Sequence, residues 1–196
     1  MSQQSDLEQY AALLTKWNAV QNLVSRETLS VDLWPRHLDD SLRVMEWVRP
    51  TDSSVLDLGS GGGLPAIPMA IASRGVERRF TLLEPIAKKV SFLRTVAREL
   101  DLPVTVHAVR AEQFDSRETF DLITSRALAA ADKLLGYADR FLAPAGHLLL
   151  HKGAKYRDEL DAASALFDFD VLVHHSESDA ESVILEITNL RAKSAA

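Results

Sequence analysis

The sequence predicts an α/β protein, in which a mostly parallel sheet is covered by helices and follows an N-terminal helical extension. From Val55 onward, short apolar runs such as "VLDL", "FTLLE" and "FDLITS" alternate with segments of helical periodicity such as "IAKKVSFLRTVAREL". Strands that are apolar on both faces are typical of a parallel sheet buried between helices. The runs "DVLVHH" and "SVILEITNL" are separated by only six residues, "SESDAE". Because this connection is too short for a crossover helix, we expect the last strand to be antiparallel.

Two helices are predicted before the sheet. The first covers residues 5–25, with a capping box at Ser5 and Glu8 and an apolar face that includes Leu7, Tyr10, Leu14, Trp17 and Val24. The second begins near Pro35 and ends before Pro50. We expect residues 1–50 to form the extension, and residues 51–196 to form the ligand-binding domain as a single compact unit.

Composition limits the classes of function. The chain has 196 residues and 46% hydrophobic content, which suits one domain with a real core. It contains no cysteine, which excludes disulfides, thiolate metal sites and a cysteine nucleophile. No apolar run is long enough to span a membrane, and "MSQQSDLEQY" is too polar for a signal peptide. We therefore expect a cytoplasmic protein with no membrane partner and no metal.

Charged residues are distributed unevenly along the chain, which the net charge does not show. The net charge of −6 argues against a nucleic-acid partner. Residues 73–98, however, carry seven basic side chains against two acidic ones. Part of this stretch has another interpretation, as the solvated face of one helix formed by Lys88, Lys89, Arg94 and Arg98.

A glycine-rich turn lies where the first strand of the sheet meets its first helix, at "LDLGSGGGLPAIPMAI". Open α/β sheets bind ligands at this position. A frame at Gly61, Gly63 and Ala66 satisfies the dinucleotide pattern G-x-G-x-x-G/A, but it begins after Gly59, which already ends the strand. The spacing D-x-G-x-G-x-G from Asp57 instead resembles the nucleoside-binding turn of class I S-adenosylmethionine-dependent methyltransferases.

The second strand and the last one bear on the same choice of cofactor. Glu84, at the end of "TLLE", is placed to hold ribose hydroxyls in either kind of protein. An antiparallel last strand is typical of the methyltransferases and not of dinucleotide folds. We therefore predict a Rossmann-like sheet of seven strands with the last antiparallel, and S-adenosylmethionine as the cofactor.

The end of the fourth strand, "FDLITSRALA", indicates the kind of methyl acceptor. It lacks the Asp/Asn-Pro-Pro-aromatic pattern of enzymes that methylate exocyclic amino groups, and methylation of pyrimidine C5 needs a cysteine that the chain does not have. An acceptor that is already nucleophilic, such as guanine N7, needs only alignment. We expect Arg126 to orient the reactants through the cofactor's carboxylate, a phosphate or guanine O6 alone, because a bidentate contact would cap N7. The alternative is a strand-end arginine bound by neighbouring groups.

Seven blocks in order resemble the RsmG family, also called glucose-inhibited division protein B. They are "WNAVQNL", "RHLDDSL", "LDLGSGGGLPAIPMAI", "TLLEPIAKKVSFL", "VRAEQF", "FDLITSRA" and "LLLHKG". The resemblance implies a cytoplasmic enzyme that transfers a methyl group from S-adenosylmethionine to N7 of one guanine in the 16S rRNA of the small ribosomal subunit. It covers most of the chain.

The resemblance also implies roles for individual residues. The cofactor turn would use Gly59 and Leu64, and Arg126 would contact the cofactor. The glycine spacing and the end of the second strand add Asp57, Gly61 and Glu84 as cofactor residues, and we expect Arg126 to touch the substrate as well. Ala111 and Glu112 would border the adenine. Lys152 would be a substrate-side residue, or alternatively an ordinary exposed lysine. For His37, Asp39 and Asp40, which could border the site, we prefer a role in tying the extension to the domain.

One residue departs from the family pattern, and three other functions remain open. Ala66 stands where the family usually has glycine, and its methyl group would slightly narrow the approach to the cofactor. The acidic composition favours a small-molecule or protein methyltransferase, the shifted glycine frame favours an NAD-dependent oxidoreductase, and a non-catalytic RNA-binding module is also possible. The expected partner is 16S rRNA or the small ribosomal subunit, and we expect a monomer.

Overall fold

The computed structural model describes residues 2–24, 37–175 and 182–193. Within these ranges, seven strands form one sheet in the order β3-β2-β1-β4-β5-β7-β6. The strands are β1 (Ser54–Leu58), β2 (Arg79–Leu83), β3 (Val104–His107), β4 (Phe120–Arg126), β5 (Leu142–Lys152), β6 (Phe167–His175) and β7 (Val183–Ala192). The pairs of β1 with β2 and β4, of β2 with β3, and of β4 with β5 are parallel. β7 runs antiparallel to both β5 and β6, which confirms the predicted sheet.

Helices cover both faces of the sheet. They are α1 (Gln3–Gln21), α2 (Asp40–Arg43) with a 3₁₀ turn (Val44–Trp47), α3 (Ala66–Ala72), α4 (Ala87–Glu99), α5 (Ala131–Ala138) and α6 (Tyr156–Ser164). One core cluster joins α1, α3 and α4 to the sheet, and the other joins α5 and α6 to its opposite face. Within the ranges given above, no helix is both long and apolar enough to cross a bilayer.

The first helix begins earlier and ends earlier than predicted. The hydroxyl of Ser2 caps it by accepting a hydrogen bond from the backbone N–H of Ser5, at 3.2 Å. The predicted cap at Ser5 is therefore wrong, because Ser2 offers the same chemistry three residues upstream and gains almost one turn. The helix ends before Asn22, whose φ of 47° is left-handed, a conformation that asparagine tolerates better than most residues.

The second predicted helix is only partly regular. Residues 35 and 36 lie outside the described ranges, and the segment that follows passes from a wide turn at 37–39 through the four-residue α2 into a 3₁₀ turn. The segment packs against the same core as α1, with Leu38 and Val44 buried.

Candidate functional site

The glycine turn after β1 has the backbone conformation that its spacing predicts. Gly59, Gly61 and Gly63 have φ values of 71°, 57° and 97°, which lie in the region that favours glycine. Glu84, only 3% exposed, braces the turn from the end of β2. One carboxylate oxygen accepts a hydrogen bond from the N–H of Gly61 at 2.9 Å, and the other accepts one from the N–H of Ile86 at 2.8 Å. Glu84 is thus placed at the turn, with both oxygens already accepting backbone hydrogen bonds.

Helix α1 supports the same turn from the other side. The hydroxyl of Tyr10 donates to the carbonyl oxygen of Gly62 at 2.7 Å, and burial raises the pKa of that hydroxyl. A Cβ at Gly62 would lie 3.0 Å from Val24 Cγ1 and 3.4 Å from Leu14 Cδ1. Gly62 therefore allows the extension to approach the turn closely. Sequence reasoning assigned it no role, because its neighbours Leu14 and Val24 are far away in the chain.

Asp57 is a buried carboxylate that is only partly hydrogen bonded. Its Oδ1 accepts a hydrogen bond from the hydroxyl of Thr124 at 2.7 Å. Its Oδ2 is buried and has no hydrogen-bond partner among the described residues. Burial raises the pKa of this carboxyl to about 6. A buried carboxylate oxygen without a donor is costly, so this position suits a ligand that brings an N–H group or a positive charge.

A cavity of about 230 Å³ lies beside the turn. Its walls include Gly59, Ala111 and Glu112, three of the residues predicted to bind the cofactor. Glu112 Oε1 accepts a hydrogen bond from the hydroxyl of Tyr137 at 2.7 Å, and this bond lowers the pKa of the carboxyl. The arrangement brings the glycine turn and the loop after β3 to one concave surface.

The other predicted cofactor residues lie around this cavity rather than in its wall. Asp57 and Glu84 are buried next to the turn, and the side chain of Leu64 packs in the core. Ala66 is fully buried at the start of α3 and does not border the cavity. Its additional methyl group therefore packs in the core, and the expected narrowing of the cofactor approach stays a prediction.

A second cavity, of about 450 Å³, opens next to the first at the carboxyl ends of β4 and β5. Arg126, His151 and Lys152 line it, and it shares Leu128 and Ala129 with the first cavity. The side chain of Leu128 lies over Gly59, where a Cβ would come within 2.6 Å of Leu128 Cδ1. Two adjoining cavities with one common wall suit two reactants that meet. Across the described residues, no group of three or more His, Cys, Asp or Glu is arranged to hold a metal ion.

Arg126 connects this site to the extension. Its Nη1 donates to the carbonyl oxygen of His37 at 3.3 Å, and its Nη2 lies 2.6 Å from His37 Nδ1. The guanidinium can only donate, so His37 Nδ1 accepts. His37 therefore ties the extension to the domain, as preferred from the sequence, and it does so at the site itself.

Lys152 is buried and is not an ordinary exposed lysine. Its ammonium donates to the carbonyl oxygen of Ala129 at 2.6 Å and to Glu159 Oε2 at 2.7 Å. The same oxygen of Glu159 accepts a hydrogen bond from the N–H of Ala131, the first residue of α5, at 2.9 Å. Glu159 thus links β5, α6 and the loop that carries Leu128. No sequence motif indicated Glu159, because its partners meet only in the folded chain.

The basic stretch at residues 73–98 divides into buried and exposed parts. Arg78 is buried and donates to Asp52, Ser73 and Arg49. Arg74 pairs with Asp6 of α1 at 2.6 Å and also donates to the carbonyl oxygen of Leu100. Several other basic side chains are exposed, namely Arg79, Lys88 and Arg98. Arg94 donates to the carbonyl oxygen of Val106 at 2.9 Å. Three of the seven basic side chains therefore support the fold, and the stretch is not one continuous basic surface.

Sequence comparisons identify relatives along nearly the whole chain. A family model described as "GidB: rRNA small subunit methyltransferase G" matches residues 3–184. A ribosomal RNA small subunit methyltransferase G of Cereibacter sphaeroides is 43% identical over 183 residues, which cover 92% of this chain and 87% of the relative. The protein of the same name from Paracoccus denitrificans is 39% identical over 186 residues, which cover 94% of this chain and 94% of the relative.

Structural comparisons identify the same fold at low sequence identity. The glycopeptide N-methyltransferase MtfA, solved in complex with S-adenosylmethionine, has a TM-score of 0.64 at 14% identity. The match covers 84% of this chain and 99% of the MtfA chain. The ribosomal protein L11 methylase of Lactobacillus delbrueckii has a TM-score of 0.58 at 19% identity, covering 77% of this chain and 75% of its own. These likenesses concern the fold.

Proposed function

Because the chain belongs to the GidB family, the small-subunit rRNA methyltransferases G, we infer that it transfers a methyl group from S-adenosylmethionine to RNA of the small ribosomal subunit. The family match carries this inference, since residues 3–184 include every residue that lines the two cavities. The antiparallel β7 argues against an NAD-dependent oxidoreductase. We further propose that the acceptor is N7 of one guanine in 16S rRNA, and that the protein acts in the cytoplasm as a monomer, with residues 1–50 as an extension of the domain at 51–196.

The residues around the smaller cavity fit S-adenosylmethionine. The Oδ2 of Asp57 lacks a donor, and the ammonium of the cofactor's methionine part would supply one. Gly59 and Gly61 would let the backbone approach closely, beside Leu64. Glu84 would accept hydrogen bonds from ribose hydroxyls in addition to the two that it already accepts from backbone N–H groups.

Ala111 and Glu112 would border the adenine in the same cavity, as the loop after β3 forms its far wall. When bound, the cofactor supplies a methyl group on a positively charged sulfur. Leu128, which lies over Gly59, would contact the cofactor at the point where the two cavities adjoin. This loop would therefore set the distance between the two reactants.

On the acceptor side, the chain's own residues mainly align and exclude water. N7 of guanine carries an unprotonated lone pair in the base plane, so the enzyme needs no general base. Orientation of two bound reactants can supply roughly 7–11 kcal/mol in the best cases. We propose that Arg126 orients the reactants at the end of β4. Lys152 uses two of its three N–H donors within the protein, and we propose that the third serves the substrate.

Methyl transfer to unmodified ribosomal RNA tests this function directly. The protein is incubated with methyl-labelled S-adenosylmethionine and either small subunits or naked 16S rRNA that lacks the modification. Label should enter one guanine, and borohydride reduction followed by aniline should cleave the RNA there, as expected for an N7-methylated base. Label found only on protein or small molecules would contradict the proposal.

Binding measurements separate the enzyme from the remaining alternatives. The affinity for rRNA should fall steeply with salt, because phosphate contacts release counterions, and this distinguishes it from a small-molecule or protein methyltransferase. A non-catalytic module would bind RNA equally with and without S-adenosylmethionine and would show no turnover. Sedimentation of the free protein tests the proposed monomer.

A further inference from the structure

His151 lies at the acceptor cavity and has no role in the methyl-transfer scheme described so far. It is the penultimate residue of β5 and is the register partner of Arg126 on β4. Paired residues of adjacent strands project from the same face of a sheet, so the two side chains leave the carboxyl edge side by side. Both line the cavity of about 450 Å³.

The hydrogen bonding of His151 determines which ring nitrogen carries the proton. Its Nε2 lies 3.2 Å from the carbonyl oxygen of Asp40, and a carbonyl oxygen can only accept. The proton is therefore on Nε2, and Nδ1 presents a lone pair. Burial and the positive charge of Arg126 lower the pKa of the ring to about 4, so the ring is neutral at physiological pH.

The acceptor nitrogen of this ring is unused. Nδ1 is buried and has no hydrogen-bond partner among the described residues. Buried polar atoms in native proteins nearly always have a partner, so an unpartnered one on a residue that lines a cavity points to a ligand that donates. Of the two ring nitrogens, only Nε2 is engaged by the protein.

We propose that Nδ1 of His151 accepts a hydrogen bond from N1–H of the acceptor guanine and thereby selects guanine over adenine. This proposal rests on the proposed transfer to a guanine of rRNA. Guanine presents the acceptor O6 next to the donor N1–H, whereas adenine presents a donor amino group next to an acceptor nitrogen. The donor Arg126 and the acceptor lone pair of His151 lie side by side, so they match the acceptor O6 and the donor N1–H of guanine. In adenine the donor and the acceptor are reversed, and the same two side chains would oppose them.

This arrangement leaves the reacting atom accessible. A contact to N1–H involves the Watson–Crick edge of the base, which is available when the base is unpaired and turned out of its stack. N7 lies on the opposite side of O6 and keeps its lone pair for the methyl group. His151 is thus a specificity-determining residue rather than an acid or base.

The test combines protein variants with base analogues at the target position of ligated 16S rRNA. Inosine keeps O6 and N1–H, whereas 2-aminopurine has neither and presents an acceptor at N1. Wild type should methylate inosine within severalfold of guanine, and 2-aminopurine at least about 100-fold less efficiently in kcat/KM, since sites built around a substrate N–H reject analogues that lack it.

His151→Leu should reduce kcat/KM on guanine and inosine about 10- to 100-fold, because the buried acceptor is lost, and should leave the value for 2-aminopurine unchanged. His151→Asn, whose amide oxygen replaces the acceptor at Nδ1, should restore most of the activity. His175→Leu, on the exposed end of β6, serves as the matched control. Calorimetry should give S-adenosylmethionine affinities within twofold of wild type for all three variants.

Several results would overturn the proposal. One is an equal loss of activity on guanine and on 2-aminopurine in His151→Leu, and another is a failure of His151→Asn to exceed His151→Leu when both bind cofactor normally. Methylation of 2-aminopurine by wild type as fast as inosine would also reject it. Failure of the proposed function itself is distinguishable, because wild type would then transfer no methyl group to guanine in any RNA.

Discussion

Replacing Glu159 by alanine should destabilise the protein far more than its partly exposed position suggests. One oxygen of Glu159 accepts hydrogen bonds from the ammonium of Lys152 at 2.7 Å and from the N–H of Ala131 at 2.9 Å. The side chain of Lys152 is only 6% exposed, against 26% for Glu159. In Glu159→Ala, the lysine keeps the carbonyl oxygen of Ala129 but has no negative partner, and the N–H of Ala131 in the first turn of α5 loses the acceptor that Glu159 supplies.

The magnitude follows from these two bonds. A hydrogen bond to a charged group contributes about 1.5–3 kcal/mol and a helix cap about 0.5–2 kcal/mol. Water can reach part of the vacated position, so we expect a loss of about 3 kcal/mol in the free energy of unfolding, near the middle of the summed range. For a chain of this size, that loss lowers Tm by roughly 6–12 °C.

Urea unfolding at equilibrium measures this loss. Asp158→Ala is the matched control, because Asp158 is exposed in the same first turn of α6. It should change the free energy by no more than about 0.5 kcal/mol. The double variant Lys152→Met with Glu159→Leu should be more stable than Glu159→Ala, because no buried charge remains. If Glu159→Ala and Asp158→Ala agree within error, the linkage through Glu159 contributes no stability and the reasoning is refuted.

Three further predictions concern the site. Gly59→Ala should weaken S-adenosylmethionine binding at least tenfold in calorimetry, because φ is 71° and the new Cβ would clash with Leu128. Gly136→Ala is the control and should leave the affinity unchanged, because its new Cβ would make only an ordinary contact with Phe167. Arg126→Ala should lose methyl transfer while its thermal melt stays cooperative, and retained activity would remove Arg126 from the mechanism. Below pH ~4, Asp57→Asn should have a free energy of unfolding similar to that of wild type. Because burial raises the pKa of Asp57 to about 6 in the folded protein, wild type should lose about 3 kcal/mol relative to the variant as the pH rises from about 4 to about 6, and parallel pH profiles in urea melts would contradict this.

Local patterns determined most of what the sequence predicted correctly. The seven strands and the antiparallel last strand followed from apolar runs and the short connection before "SVILEITNL". The glycine turn was readable because a positive φ restricts the residue type at each position, as at Gly59 and Gly61. Helix boundaries were harder to predict, since Ser2 and Ser5 are equally suited to a cap, and the structure has the cap at Ser2.

The contacts of the site that the sequence missed form between different elements of the fold. Sequence alone determined the fold class, the glycine turn and the position of Arg126 at a strand end, because turn chemistry and strand periodicity are properties of neighbouring residues. Only the tertiary structure brought His37 onto Arg126, 89 residues away, and α1 onto Gly62, 52 residues from Tyr10. It also decided that Lys152 is held by Glu159 and that His151 has one unused acceptor. Hydrogen bonding across the folded chain depends on where elements pack, which no local pattern specifies.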